Sequence, residues 1–111
     1  MAARLIEVRV NCPARETAER IAAICLADRL AASANILAPI ESSYRWKGVI
    51  EKASEVPVVF KTRAELFDAL CAKVKSGHPY EIPGIAATEL AFVDKPYADW
   101  LIQETREPSQ Q

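Results

Sequence analysis

Hydrophobic periodicity switches several times in this chain between a two-residue repeat and a roughly 3.6-residue repeat, and that order of switches limits the fold more than any motif does. Leu5 to Val10 alternates, with Leu5, Glu7 and Arg9 on one side and Ile6, Val8 and Val10 on the other, which predicts a strand with one buried face. Asn11-Cys12-Pro13 then turns the chain: Asn11 or Cys12 suits a helix cap and Pro13 the first helical position. Ala18, Ile21, Ala22, Cys25, Leu26 and Leu30 recur at three- and four-residue steps, the pattern of an amphipathic helix lying on a sheet.

Ile36, Leu37 and Ile40 mark a second strand, interrupted at Pro39. Ser43 to Glu51 sets polar and aromatic residues around Gly48 and reads as a hairpin tip with a loop longer than two residues. The β-branched run Glu55 to Lys61 is the other arm; Pro57 within it implies an edge, a bulge, or a missing N–H that faces no neighbour. Thr62-Arg63-Ala64-Glu65 has capping-box spacing, Leu66, Phe67, Leu70, Cys71 and Val74 give a second helical stripe, and Gly77 falls where a left-handed residue ends a helix. Ile85 to Val93 supplies the last main strand, Pro96 opens a short helix, and residues 107–111 form a polar tail.

The expected order is strand, helix, strand, strand, helix, strand and a terminal helix. That is an α+β, ferredoxin-like split βαβ arrangement: one domain over 1–111 with its core at about 5–102, an antiparallel sheet and both main helices on one face. The other face lacks a helical cover. Tyr44, Trp46, Ile50 and Trp100 lie outside the helical stripes, so a second copy of the chain is the expected cover, with Tyr44, Trp46 and Trp100 at the subunit contacts.

Composition excludes several functions. With 14 Lys plus Arg against 15 Asp plus Glu and no basic block, nothing points to a nucleic-acid partner. The first residues reach Arg4 and Glu7 too soon for a signal peptide, and no apolar run is long enough to span a membrane, so a cytoplasmic protein is expected. Three cysteines at wide spacing suit neither a disulfide framework nor a zinc ribbon; Cys25 and Cys71 fall on apolar helix faces and read as reduced core thiols.

Chemistry concentrates in His78-Pro79-Tyr80-Glu81-Ile82-Pro83-Gly84, which holds the only histidine between a helix and a strand. Its two prolines fix φ and also build a stiff connector, which is reason enough for the segment to exist.

Asn11-Cys12-Pro13, Arg29 to Ile36, Ser43 to Gly48, Lys61-Thr62-Arg63, His78 to Pro83 and Lys95 to Leu101 occur in the order seen in the CutA divalent-cation-tolerance family, which the chain resembles from about Ile6 to about Leu101. The resemblance implies a tight homotrimer, similar in architecture to the PII signalling proteins, with a role tied to divalent cations, copper above all. It names no downstream partner. Ser33 stands where many members have cysteine, Arg45 where an aromatic is usual, Gly84 where a carboxylate is common and Glu89 where the strand is usually apolar. A thiolate copper site is therefore less expected here than in the family at large.

Two ligand classes follow. For a metal such as copper(II), His78 offers imidazole, Glu81 a carboxylate and Cys12 a thiolate, although His78 and Glu81 share a face only if the prolines bend the chain. The competing reading has Cys12 buried behind a cap, Glu81 paired with Lys61 or an arginine, and His78 bonded to a carbonyl. For a small anion, by analogy with PII-like trimers, Lys61, Arg63, Tyr80 and Arg45 are the candidates in a cleft between subunits, with Trp46 as a stacking surface. No cofactor fingerprint or triad pattern is present, so no enzymatic activity is expected.

Overall fold

A computed structural model describes residues 3–108, so the last part of the predicted 107–111 tail lies outside the described residues. The elements run β1 (Leu5–Cys12), α1 (Arg15–Ala27), β2 (Ser33–Ile36), β3 (Ile40–Trp46), β4 (Val49–Arg63), a 3-10 turn (Ala64–Leu66), α2 (Phe67–Gly77), β5 (Ile85–Glu89) and α3 (Lys95–Glu104). The sheet order is β2-β4-β1-β5, antiparallel throughout, with β3 paired to the free length of β4. This is the α+β arrangement expected. The strand read as interrupted at Pro39 is two strands, β2 and β3, one on each side of it, and both pair with the single 15-residue β4, β3 first and then β2.

The core lies between the sheet and helices α1 and α2. Ile6, Val8 and Val10 of β1 and Val56, Val58 and Phe60 of β4 meet Ile21, Cys25, Leu70 and Val74, and all of them are buried. Burial of this kind is worth about 1.5–3 kcal/mol per large side chain. Leu26, assigned to the same stripe, is 39% exposed: it sits one position past the buried Cys25 and rotates off the face.

Helix α3 closes part of the opposite face. Leu5 is register-paired with Arg63, and the buried Arg63 guanidinium donates to the Ile102 carbonyl at 2.7 Å and to Thr105 Oγ1 at 2.9 Å. A cation is thereby seated at the negative end of the helix dipole. Arg29 adds a second grip, donating to the carbonyls of Gln103 and Glu104.

Several local expectations are corrected. Helix α1 begins at Arg15 rather than Pro13, after an extended Ala14 with no side-chain cap, because Asn11 and Cys12 still pair with Pro57 and Val56 in the sheet. The capping box does not form: Thr62 is a strand residue whose hydroxyl donates to the Leu30 carbonyl at 2.6 Å, and α2 starts only at Phe67. Gly77 is not among the residues at positive φ. A Cβ there would stand 3.3 Å from Ile24 Cδ1, so close helix packing is what favours glycine. The hairpin tip is a two-residue loop, with Lys47 at φ 51° and Gly48 at φ 82°, the type I′ pattern. Pro57 accepts from the Leu37 N–H at 2.9 Å, so its missing donor faces the same side, just past the last pair of β2. Strand β5 ends at Glu89, which pairs with the exposed Arg4 instead of continuing to Val93.

Candidate functional site

A cleft of about 800 Å³ opens where the base of the β3–β4 hairpin faces the proline-bounded segment after α2. Its walls carry Glu41, Tyr44 and Trp46 from β3, Glu55 from β4, Asn11 from β1, and Tyr80, Glu81 and Ile82 from the connector. The sheet register explains the meeting. Asn11 pairs with Pro57 and Ile40 with Glu55, so the end of β1 and the start of β3 both reach β4 where it leaves the body of the sheet.

The connector is anchored through His78. The buried imidazole bonds the Asn11 carbonyl through Nε2 at 2.9 Å, and Nδ1 accepts the Tyr80 backbone N–H at 3.2 Å. A backbone N–H can only donate, so Nδ1 is the acceptor and the proton resides on Nε2. The Tyr80 ring then tilts against the imidazole, with centroids 4.6 Å apart, and the Tyr80 hydroxyl donates to Glu55 Oε2 at 2.9 Å.

Glu55 is the unusual member. Only 6% of its surface is exposed, yet among the described residues no lysine, arginine or histidine lies within ion-pairing distance of its carboxylate. A buried carboxylate held by one phenol is under-compensated, and a cation is the partner it lacks. Its surroundings respond. Burial, and then the hydrogen bond to Glu55, push the Tyr80 hydroxyl up to about 12. Burial followed by the charge of Glu55 pushes the Cys12 thiol up to about 11. Asn11 adds an Oδ1 atom that is buried without a partner among the described residues.

At the mouth, Lys47 Nζ lies 5.4 Å from the centroid of the Trp46 ring and 3.8 Å from Glu81 Oε1. This pair is open to solvent and contributes little to stability.

Of the residues expected to bind metal, Glu81 alone lines the cleft; His78 is buried next to the lining residues Pro79 and Tyr80 without entering it, and Cys12 is wholly buried in the core. Both nitrogens of His78 are engaged within the chain, and Glu81 faces Lys47 rather than Lys61. Among the described residues no three His, Cys, Asp or Glu side chains gather into a metal centre. Of the four residues expected to hold an anion, Tyr80 alone lines the cleft. Lys61 lies on the sheet with Glu7 and Asn35, Arg63 is buried under α3, and Arg45 is exposed on β3 outside the lining. Among the described residues the lining carries three carboxylates and no cationic side chain; Lys61 and Arg63 share the strand face of Glu55 but lie further along β4, toward the end held by α3. Tyr44 and Trp46, expected at subunit contacts, border the cleft, while Trp100 is exposed on α3 and stacks on Tyr97.

Glu55, Glu41 and Asn11 escaped the sequence reading. The signal available was a carboxylate heading the apolar run Val56 to Phe60, a position where burial is expected and a charge is out of place.

Residues 6–104 match the family described as CutA1 divalent ion tolerance protein. The chain is 37% identical over 102 residues to a protein of Oryza sativa named "Protein CutA 1, chloroplastic", an alignment spanning 92% of this chain and 58% of the rice protein. It is equally 37% identical over 102 residues to the "Divalent-cation tolerance protein CutA" of Pyrococcus horikoshii, there covering 92% of this chain and 99% of the other. The chain thus spans little more than half the length of the plant relative and nearly all of the archaeal one. The crystal structure of the rice CutA1 superposes with a TM-score of 0.91 at 36% identity, covering 96% of this chain and 97% of that one.

Proposed function

Because the chain belongs to the CutA1 divalent ion tolerance protein family, we propose that it acts in divalent-cation tolerance by binding the cations themselves, copper(II) among them, at the cleft headed by Glu55. The observation that carries this reading is the buried Glu55 carboxylate, without a counter-ion among the described residues, in a cleft whose other charged walls are Glu41 and Glu81. Carboxylates suit hard divalent cations and also accept copper(II), and a site of so few fixed donors leaves most of the ion's water in place. Binding is therefore weak and reversible. His78 serves by holding Tyr80 and, through it, Glu55; it would reach a metal only by giving up two internal hydrogen bonds. Catalysis has no part in this proposal.

The proposal includes a homotrimer, similar in assembly to PII proteins. What supports it is the apolar surface one chain leaves open: Val49 and Ile50 at the hairpin tip, Ile82 on the connector, Phe92 before α3, and Trp100 on α3 are all exposed. The free thiols of Cys12, Cys25 and Cys71 accord with the cytoplasmic location we propose.

Equilibrium dialysis against Mn(II) and Cu(II), beside sedimentation equilibrium, tests both parts. The expected result is saturable uptake that Glu55→Gln abolishes, on a species near three times the 12.3 kDa chain mass. Uptake unchanged in Glu55→Gln would overturn the cation reading, and a monomer or dimer would overturn the trimer.

A further inference from the structure

The same cleft has features that a metal ion does not use. It is much larger than one hydrated ion, at about 800 Å³, and three of its walls are aromatic: Tyr44, Trp46 and Tyr80. Aromatic faces attract ammonium groups through the ring quadrupole, and a carboxylate beside the ring completes the recognition of an organic cation. The chain already makes this arrangement once: the Lys47 ammonium lies over Trp46 with Glu81 beside it at the cleft mouth. Deeper in, the counterpart carboxylate, Glu55, is buried beside Tyr80, and among the described residues no ammonium pairs with it.

We infer that the cleft also receives a small organic ammonium ion, its charge on Glu55 and its apolar part against Tyr44 and Trp46. This rests on the cation reading of the same site and widens it from metal ions to amines. Lys47 marks the entrance, since an entering amine can replace its ammonium on both Trp46 and Glu81. Anionic molecules are disfavoured by the three carboxylates of the lining, and neutral ones gain no charge attraction from them.

The test titrates the full chain with tetramethylammonium chloride by NMR, at constant ionic strength, with tert-butanol as the neutral probe of similar shape and Mn(II) binding measured in parallel. The expected result is saturable binding of the ammonium and none of the alcohol. Trp46→Leu should weaken ammonium binding by about five-fold or more, as loss of a desolvated cation–π contact implies, while leaving Mn(II) binding within about two-fold. Glu55→Gln should weaken both, and Glu41→Gln takes its place if that variant does not fold. Mn(II) binding without ammonium binding would overturn this inference and leave the metal reading intact. Loss of both would overturn the two together. Equal binding of alcohol and ammonium would overturn the inference by showing a merely apolar pocket.

Discussion

The Tyr80 hydroxyl donates to Glu55 Oε2 across 2.9 Å, and it is the one protein donor that this buried carboxylate receives among the described residues. Removing it with Tyr80→Phe leaves a buried charge with less compensation, at an expected cost of about 1–3 kcal/mol in urea denaturation. Saturating Mn(II) should restore more stability to the variant than to the parent, because the cation then replaces the missing donor. Equal stabilisation of both would show that the cation binds away from Glu55.

Tyr80 also sets an alkaline limit. Its folded value, raised to about 12 from an ordinary 10, means that the folded chain keeps the phenolic proton while the unfolded chain loses it. The stability this contributes is fully present below about pH 10 and is lost as pH rises from about 10 to about 12. Tyrosinate absorbance should show a late step near pH 12 that Tyr80→Phe removes.

The thiols give an independent check on the packing. Burial pushes Cys12 up to about 11 and Cys25 up to about 12, so neither supplies thiolate near neutrality. Both should react slowly with a disulfide reagent at pH 8 in the native chain and rapidly in denaturant. Fast native labelling of Cys12 would place it in the cleft rather than the core.

The attachment of α3 rests on Arg63, which is buried and bonds the Ile102 carbonyl and Thr105 at the helix end. Arg63→Met should cost about 2–4 kcal/mol, in line with charged hydrogen bonds lost from a buried site. Amide exchange should quicken in residues 97–104 well before it does in β1 or β4.

Periodicity carried the fold because each buried face here belongs to one element: Val8 and Val10 alternate, and Ile21 and Cys25 recur at helical spacing. Where a residue serves two masters, the local rule failed. Thr62 has the right spacing for a cap but is held by Ile6 across the sheet and by the Leu30 carbonyl, and Asn11 is likewise retained by β1. The site was legible only in part. The proline-bounded segment drew notice through its composition, and His78 and Tyr80 proved to be its anchors. Glu55 is 23 residues upstream of His78. Its role arises from β4 running on beyond the sheet body, a register fact that no short window contains. Lys61 and Arg63 were drawn toward the cleft by charge alone; they share the strand face of Glu55, but their distance along β4 carries them away from the cleft.

Calorimetric titration of copper(II) into the purified protein, in buffer with a competing chelator, tests the central claim most directly when Glu55→Gln and His78→Ala are run beside the parent. The account predicts that Glu55→Gln loses binding, and that His78→Ala weakens it less, through loosening of Tyr80. Binding retained by Glu55→Gln but abolished in His78→Ala would contradict it and make the imidazole the ligand.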